Sequence, residues 1–549
     1  MKYNGPYSHR PSAVCSRGMI ATSHYLASSC GLNILRKGGS AVDAAIGANA
    51  VLCVVYPHMA GLGGDAFALV WDPADSKIHA LNASGPAANL ADVSYFQKKG
   101  HSDSIPTRGP LSVLTVPGAV DGWRLLHQRY GRLQWEELFD DAVYYAQTGA
   151  PVGRSLAQWL VADKSLLENN KQMASIFLNG GVPREGELIS MRDLAESLVI
   201  IANQGGRAFY EGDIADRICS MLSSQGSPLN KSDFAQYQAE WVEPISTVYR
   251  GYRVYEFPPN TQGFAALQIL NILEGYDPAV WGDNTADFYH FMAEAVKVSF
   301  ADRDEWLGDP KFVDMPLGKL LSKDYANDRR SLIRAERALD MEKVSAGIPF
   351  RGSAGMGSAG GDTCAFSAVD ESGLAISMIQ SIYYDFGSAV LGGDTGIIMQ
   401  NRGSFFSLDA EHPNGLVPGK RPFHTLTPGF ITKDEKPYLV FGTMGGEGQP
   451  QTHAALIVRL IDFGYDVQQA ISAPRWLMGK TWGTESKDLS LEGRISQGVV
   501  QELAYRGQPI KTVRDWDDNM GHAQAIRRLD NGYLEGGADP RGDGAALGY

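Results

Sequence analysis

Residues 358–369 read SAGGDTCAFSAV, and the character of the sequence changes inside this stretch. Small residues and glycines lead up to Asp362, a composition typical of a loop. From Thr363 onward the residues have a β-strand pattern, and a second such run follows the turn sequence DESG at 370–373. Two β-rich runs around a short turn predict a hairpin. The stretch therefore predicts that a loop ends at Asp362 and that a strand begins at Thr363.

The pattern of the sequence differs before and after this point. Helical spacing of apolar residues dominates the preceding part, and DFYHFMAEAVKVSFADRDEW at 287–306 is the clearest case. One segment there, YRGYRVYEFPP at 249–259, has the pattern of a strand hairpin. Residues 340–362 are rich in Gly and Ser and predict an exposed, flexible loop. We expect a helix-rich part up to Asp362 and a strand-rich part over residues 363–549.

The most apolar stretch predicts a buried helix rather than a membrane span. It is AVDAAIGANAVLCVVYPHMAG at 41–61, and Asp43 and Asn49 interrupt it. Ser40 and Asp43 have the spacing of a capping box at a helix start. Residues 1–28 contain no continuous apolar segment, so no signal peptide is evident, and we expect a cytoplasmic protein with no membrane partner.

The charge balance and the cysteines exclude several classes of protein. The 549 residues carry a net charge of −13, from 49 basic and 62 acidic residues, which argues against nucleic acid as the main partner. The five cysteines are scattered and form no CxxC motif, which argues against a disulfide framework and a zinc site.

Thr363 has two interpretations. A threonine hydroxyl is a weak nucleophile unless a base lies beside it. At the start of a chain, threonine has such a base in its own α-amino group, which titrates near neutral pH. A cut between Asp362 and Thr363 would create this arrangement, and a glycine-rich loop is accessible to cleavage. The alternative is structural, a strand that begins with a β-branched residue. The stretch alone leaves both open.

Seven motifs, in this order along the chain, carry a resemblance to a known family. They are GLGGDAF (61–67), VPGAVDGW (116–123), MAEAVKVSFADRDEWLGDP (292–310), GDTCAFSAVD (361–370), FGSAVLGGDTGIIMQNRGSFFS (386–407), KRPFHTLTP (420–428) and MGGEGQPQ (444–451). With them the chain resembles the γ-glutamyltranspeptidase family of N-terminal-nucleophile (Ntn) hydrolases over nearly its whole length.

The resemblance implies a fold and a processing step. The fold is an αββα sandwich, in which two stacked antiparallel sheets lie between helical layers. The precursor would cut itself between Asp362 and Thr363. Residues 1–362 would then form a large subunit and residues 363–549 a small one, and a homodimer of such processed heterodimers is compatible with this arrangement.

The resemblance also implies the catalytic groups. Thr363 would be the nucleophile, with its α-amine as the base and the Ser381 hydroxyl as support. Gly445 and Gly446 would form the oxyanion hole, in which backbone N–H groups stabilise the developing negative charge. The family mechanism implies neither a metal nor a cofactor.

The substrate pocket departs from the family pattern. Members that act on γ-glutamyl donors hold the donor α-carboxylate with an arginine, in a segment that here is LNASGPAA (81–88) and has none. Where they hold the α-amino group, this chain has QNRGSFF, which places Asn401, Arg402 and Phe405 there. An arginine would repel an ammonium group and could instead hold a carboxylate by two parallel hydrogen bonds.

Three further residues are expected to line this pocket. Tyr383 stands where a small amide is often found, and His424 and Thr425 replace a serine pair. The segment that corresponds to the lid, LDAEHPNGLVPG at 408–419, is short. For Arg402, the structural alternative is an ordinary surface salt bridge.

We therefore expect a self-processing amidohydrolase that acts on a small amide whose acyl part carries a carboxylate, oxamate-like or glutaryl-like. The alternatives are a glutathione hydrolase or γ-glutamyltransferase, a cephalosporin (glutaryl) acylase, and a non-catalytic relative that keeps the fold as a binding protein.

Overall fold

A computed structural model describes residues 10–350, 362–479 and 486–549. The strands in these residues are β1 (Ala13–Cys15), β2 (Met19–Thr22), β3 (Asp65–Asp72), β4 (Lys77–Ala83), β5 (Ala150–Pro151), β6 (Leu188–Ile189), β7 (Glu240–Val242), β8 (Ile245–Tyr249), β9 (Tyr252–Glu256), β10 (Asp362–Val369), β11 (Ala375–Tyr383), β12 (Gly429–Lys433), β13 (Lys436–Thr443), β14 (Trp476–Met478), β15 (Leu489–Glu492), β16 (Ile510–Val513), β17 (Ala523–Arg528), β18 (Leu534–Ala538) and β19 (Ala545–Gly548).

The α-helices in the same residues are α1 (Tyr25–Arg36), α2 (Ala41–Val55), α3 (Val93–Lys98), α4 (Ala119–Tyr130), α5 (Asp140–Thr148), α6 (Arg154–Ala162), α7 (Lys164–Glu168), α8 (Lys171–Phe177), α9 (Arg192–Gln204), α10 (Ala208–Glu211), α11 (Asp213–Ser224), α12 (Lys231–Gln236), α13 (Gly263–Leu273), α14 (Pro278–Trp281), α15 (Ala286–Trp306), α16 (Leu317–Leu320), α17 (Lys323–Arg330), α18 (Gln449–Ile461), α19 (Val467–Ser472) and α20 (Gln497–Tyr505).

Two seven-stranded antiparallel sheets organise the molecule. The β10 sheet has the order β19-β2-β10-β11-β3-β4-β7, and the β13 sheet has the order β1-β18-β17-β13-β12-β9-β8. Apolar side chains of both sheets meet between them, among them Phe67, Ile379, Phe430 and Val440. Helices that include α1 and α2 cover the outer face of the β10 sheet, and α13, α15 and α18 cover the outer face of the β13 sheet. The predicted αββα sandwich is confirmed.

The predicted hairpin at Thr363 is formed by β10 and β11, with the turn at residues 370–373. Because successive side chains of a strand point to opposite faces, Ala365 packs between the sheets while Cys364 and Phe366 pack against the helices. On its other edge β10 pairs with β2. The strand that carries Thr363 is therefore an interior strand of its sheet.

Other local predictions are also confirmed. Ser40 and Asp43 form the capping box of α2, in which every residue is buried. Helix α15 covers 286–306, and β8 and β9 form the predicted hairpin, whose turn residues Arg250 and Gly251 both have positive φ. Of the predicted flexible loop, residues 351–361 lie outside the described residues.

Strands β3 and β4 were not predicted from the sequence, and they lie in the part expected to be helix-rich. Strand β3, DAFALVWD, is buried on both faces over all but its last residue. Burial on both faces removes the alternation of apolar and polar residues by which a strand is recognised.

The residues before and after Asp362 contribute strands to both sheets. In the β10 sheet, β2, β3, β4 and β7 precede it, while β10, β11 and β19 begin at it or follow it. In the β13 sheet, β1, β8 and β9 precede it. Neither part holds all the strands of either sheet, so the two parts are one folding unit.

None of the helices in residues 10–350, 362–479 and 486–549 has both the length and the apolar composition that a bilayer span requires.

A break in the chain between residues 350 and 362 should leave the protein assembled. If a specific protease site is placed there and cut, we expect both fragments to co-elute in size-exclusion chromatography in native buffer and to separate in denaturant. The reason is that β10 keeps its ladders with β2 and β11. Separation of the fragments in native buffer would contradict this interleaved architecture.

Candidate active site

The hairpin is irregular at Thr363. Its register shifts between Asp362 and Cys364, so that two residues of β11, Ser381 and Ile382, lie opposite Thr363. An irregularity of this kind redirects side chains and is common beside active sites. The Thr363 side chain is buried, and its Oγ1 has no hydrogen-bond partner among the described residues.

Ser381 and Tyr383 lie beside the Asp362–Thr363 bond. Ser381 is the last residue of β11 paired with β3, opposite Asp65, and its hydroxyl accepts a hydrogen bond of 2.7 Å from the Tyr383 N–H. Tyr383 pairs with Asp362 across the hairpin and has a φ of 83°, which is unfavourable for a residue with a side chain. The structure therefore brings the predicted supporting hydroxyl and the first pocket residue to the predicted cleavage bond.

Packing of the two sheets brings the Gly445–Gly446 loop to the same end of β10. A β-carbon on Gly442 would lie 3.1 Å from the Ala365 β-carbon. Further along the hairpin, the Ser377 hydroxyl donates to the Phe441 carbonyl at 2.7 Å. Because the residue numbers in β13 fall as those in β10 rise, the C-terminal end of β13 stacks on the start of β10.

In this loop the carbonyl groups of Met444 and Gly445 accept hydrogen bonds, while the N–H groups of Gly445 and Gly446 donate none to other described residues. The Met444 carbonyl accepts from the Thr443 hydroxyl at 2.9 Å, and the Gly445 carbonyl accepts from the Gly448 N–H at 2.8 Å. In a trans peptide the N–H points opposite to the C=O. Neither the Gly445 nor the Gly446 N–H donates a hydrogen bond to another described residue, and both glycines have positive φ.

Arg402 is fully buried between aromatic rings. Its guanidinium carbon lies 4.1 Å from the centre of the Tyr383 ring and 5.5 Å from that of Phe405. No carboxylate of the described residues lies within 4.0 Å of it, and burial lowers its pKa to about 10, so it stays cationic at neutral pH. The alternative of a surface salt bridge does not describe this residue.

One edge of the Arg402 guanidinium has no hydrogen-bond partner among the described residues. Nη1 donates to the Thr425 hydroxyl at 3.3 Å, while Nε and Nη2 are buried and have no hydrogen-bond partner in the part of the chain that the structure describes. Nε–H and one Nη2–H point in the same direction and match the two oxygens of a carboxylate. Buried polar groups are rarely left without a partner, so this edge is suited to a ligand.

His424 contacts Asp65, a residue that the sequence analysis did not single out. The His424 Nδ1 accepts from the Leu426 N–H at 3.4 Å, so Nε2 carries the proton and faces Asp65 Oδ2 at 3.3 Å. Burial, and secondly the charge of Arg402, lower the pKa of His424 well below its usual value. The imidazole is therefore neutral and acts as a donor to Asp65.

Asp65 is a buried carboxylate beside His424. Its Oδ1 accepts from the Gly85 and Gly118 N–H groups, both at 3.1 Å, and from Gln400 Nε2 at 3.0 Å. Burial raises the pKa of Asp65 to about 7, although these hydrogen bonds and Arg402 lower it. The only sequence signal for Asp65 was its place in the motif GLGGDAF.

Asn401 links two backbone segments beside Arg402. Its Oδ1 accepts from the Tyr384 N–H at 3.1 Å, and its Nδ2 donates to the Thr107 carbonyl at 2.6 Å. The structure thus places Tyr383, Arg402, Thr425 and His424 in one connected group, while the Asn401 amide is engaged by the backbone.

Replacing Asp65 by Asn should change how stability depends on pH. The folded-state pKa, about 7, is higher than the value of about 3.9 in an unfolded chain, so the folded protein binds the proton between these values. This contribution to stability is complete below pH about 4 and is lost as the pH rises through about 7.

We therefore expect the wild-type unfolding free energy to fall from pH 5 to pH 8 by about 1–3 kcal/mol more than that of Asp65→Asn. Denaturant unfolding at pH 5, 6, 7 and 8 measures this difference. Parallel pH profiles for the two proteins would contradict the assignment of a shifted titration to Asp65.

Comparison with known proteins shows the family of the chain. The family model described as Gamma-glutamyltranspeptidase matches residues 27–549. The chain is 46% identical to the Glutathione hydrolase-like YwrD proenzyme of Bacillus subtilis (strain 168), over 98% of this chain and 99% of that protein. It is 40% identical to the Oxamate amidohydrolase proenzyme of Klebsiella pneumoniae, also over 98% of this chain and 99% of that protein.

A solved structure matches over the same length. The cephalosporin acylase from Bacillus halodurans superimposes with a TM-score of 0.90 at 39% identity, and the match covers 100% of this chain and 98% of that one. The fold, the sequence motifs and these matches confirm the resemblance, and the chain belongs to the gamma-glutamyltranspeptidase family of amide-bond hydrolases.

Proposed function

We propose that the chain cuts itself between Asp362 and Thr363 and then hydrolyses the amide bond of a short acyl group that carries a carboxylate. Family membership supports the reaction class. The observation that carries the substrate class is the unpaired Nε–Nη2 edge of Arg402, buried against Tyr383. One relative is named as an oxamate amidohydrolase, and oxamate is the amide of a short acyl group that carries a carboxylate. A similar solved structure is named as a cephalosporin acylase, which agrees with the reaction class.

In the processing step, the Thr363 hydroxyl attacks the carbonyl carbon of Asp362. The peptide C–N bond breaks, and the acyl group moves from the nitrogen to Oγ1. Water then hydrolyses this ester, which leaves a carboxylate on Asp362 and a free α-amine on Thr363. The position of Thr363, held in a strand paired on both edges, supports a nucleophile fixed in this way.

In turnover, the free α-amine of Thr363 takes the proton of the hydroxyl as Oγ1 attacks the substrate carbonyl. The N–H groups of Gly445 and Gly446 stabilise the oxyanion that forms, and the leaving amine departs with the proton. Water then attacks the acyl ester, its proton returns through the α-amine, and the carboxylic acid leaves. The Ser381 hydroxyl, opposite Thr363, supports the nucleophile.

Arg402 selects the acyl group. Opposite charges about 4 Å apart attract by roughly 4 kcal/mol at an effective dielectric constant of 20, and an ammonium at the same place would be repelled by a similar amount. Tyr383 pairs with Asp362 across the hairpin and its ring stacks on Arg402, so a single residue connects the guanidinium to the cleavage bond, which favours a short acyl chain. Half-amides of small dicarboxylic acids have this form.

A γ-glutamyl donor is the second candidate, and Asp65 is the observation that favours it. A buried carboxylate near Arg402 gives the pocket both signs of charge, which could suit a zwitterionic donor. One relative is named as glutathione hydrolase-like. Against this candidate, four donors already bind the Asp65 carboxylate, from His424, Gly85, Gly118 and Gln400.

The first prediction from this proposal concerns processing. Purified wild-type protein should run as two fragments, residues 1–362 and 363–549, and N-terminal sequencing of the smaller should give Thr-Cys-Ala-Phe. Thr363→Ala should remain one chain and be inactive, because it has no hydroxyl to attack Asp362. Thr363→Ser is the matched control, since it keeps a hydroxyl, and it should still cut itself. An intact wild-type chain with full activity would rule out this mechanism.

The second prediction concerns specificity. The wild type should show a higher kcat/KM for oxamate or glutaryl anilide than for γ-glutamyl anilide. Arg402→Gln should lose most of this preference, mainly through a higher KM, because the two-hydrogen-bond contact is lost. Arg402→Lys should restore it only in part, because an ammonium cannot reproduce the planar fork.

Neutral counterparts of these substrates, oxamide and pentanoyl anilide, control for general damage to the site. Their KM values should be nearly the same in the wild type and in Arg402→Gln. If γ-glutamyl anilide is clearly the best substrate, or if Arg402→Gln leaves the ranking unchanged, the γ-glutamyl candidate replaces the proposal.

A further inference from the structure

Gln262 hydrogen-bonds to two parts of the candidate site, the Gly445–Gly446 loop and the residues beside Arg402. It is buried immediately before α13, and its Nε2 donates to the Thr425 carbonyl at 2.7 Å and to the Gly446 carbonyl at 2.9 Å. Both hydrogens of the amide are used. One of these carbonyls belongs to the residue that holds Arg402, and the other belongs to the predicted oxyanion pair.

Arg303, on helix α15, fixes the orientation of this amide. Its Nη1 donates to Gln262 Oε1 at 2.9 Å, so the oxygen faces Arg303 and the nitrogen faces the two carbonyls. Its Nη2 donates to Glu447 at 2.9 Å, and its Nε donates to Asp304 at 2.8 Å. Arg303 is 1% exposed and Glu447 is 3% exposed, so water competes little for these bonds.

Two side chains add to the backbone bonds of the Gly446 segment, in which the Gln449 N–H also donates to the Gly446 carbonyl. Gly446 has a φ of 52°, and glycine has access to more backbone conformations than any other residue. The short 3₁₀ turn that follows, Gly446–Gly448, has no side-chain cap. The bonds from Gln262 to the Gly446 carbonyl and from Arg303 to Glu447 therefore restrict the loop in which the Gly445 and Gly446 N–H groups lie.

The same amide restricts the acyl pocket. The Thr425 carbonyl is held by Gln262, and the Thr425 hydroxyl is held by Arg402. The Gln262 N–H also donates to the His424 carbonyl at 3.2 Å. Residues 424 and 425, which stand beside the guanidinium, are thus positioned by Gln262 through both its backbone and its side chain.

We infer that Gln262, oriented by Arg303, is a positioning residue. It holds in place both the Gly445–Gly446 loop, here called the oxyanion loop, and residues 424 and 425 beside the Arg402 guanidinium. The inference rests on the proposed function, in which Gly445 and Gly446 bind the oxyanion and Arg402 binds the acyl carboxylate. The residue itself touches neither the substrate nor the reacting atoms.

The test replaces the Gln262 amide with groups that cannot donate. Gln262→Met keeps the length of the side chain and removes all three hydrogen bonds. Gln262→Glu keeps the contact with Arg303, as an ion pair, and removes only the two donors. Gln268→Met is the matched control, because Gln268 is a buried glutamine of α13 whose amide bonds to Asp302 and the Leu320 carbonyl instead. All rates are expressed per processed chain, measured by gel.

The substrates are glutaryl anilide and its neutral counterpart, pentanoyl anilide. Both Gln262 variants should lose at least tenfold in kcat on both substrates, because the oxyanion loop is no longer fixed. Their KM should rise several-fold for glutaryl anilide and little for pentanoyl anilide, because only the former uses Arg402. Gln268→Met should keep kcat and KM within about twofold, whatever its melting temperature.

The outcomes separate the inference from the proposed function. If the wild type shows no turnover that depends on Thr363, both are overturned. If turnover depends on Thr363 and either folded Gln262 variant keeps wild-type kcat and KM, only the inference is overturned. A loss of melting temperature with unchanged kinetics per processed chain would show that Gln262 is structural alone.

Discussion

The pairing of β10 with β2 on one edge and with β11 on the other is the constraint on which the site depends. It fixes Thr363 at the start of an interior strand, where a residue next to a loop would otherwise move freely. The register shift then places Ser381 opposite Thr363. Ala365 of this strand packs against Gly442 of the second sheet, and this packing brings the Gly445–Gly446 loop to the end of β10 at which Thr363 lies.

The second constraint is electrostatic. A guanidinium removed from water without a carboxylate partner lowers the stability of the fold, by several kcal/mol for a fully desolvated charge. Contact with the faces of Tyr383 and Phe405 offsets part of this, by up to about 2 kcal/mol for such a desolvated contact. The fold thus keeps a charged group poorly solvated before any ligand arrives, which is a common compromise between stability and function.

The sequence predicted those features that have a local signature. The β10–β11 hairpin, the capping box of Ser40 and Asp43 and helix α15 each appear as a pattern within a few residues. The αββα architecture followed from the family resemblance. Strand β3 was missed because burial on both faces hides its period, and β4, which pairs with it, was missed as well.

The candidate site could be predicted only in part. Arg402 was found because it departs from the family pattern, but its burial and its unpaired edge depend on the packing of Tyr383 and Phe405 around it. Asp65 and Gln262 were missed. Gln262 hydrogen-bonds to Thr425 and Gly446, which are 163 and 184 residues away in the chain, and no local sequence pattern indicates such contacts.

The interleaving of strands across Asp362 has a consequence for how the protein regains its structure after unfolding. In an uncut chain, the segment between residues 350 and 362 keeps both parts at a high effective concentration, so folding is a unimolecular process. After a cut the same sheets can form only when two molecules meet. The midpoint of unfolding then depends on protein concentration, and each tenfold dilution removes about 1.4 kcal/mol from the apparent stability. A cut molecule that unfolds in dilute solution is therefore unlike its uncut counterpart, because its sheets are rebuilt by association rather than by folding alone.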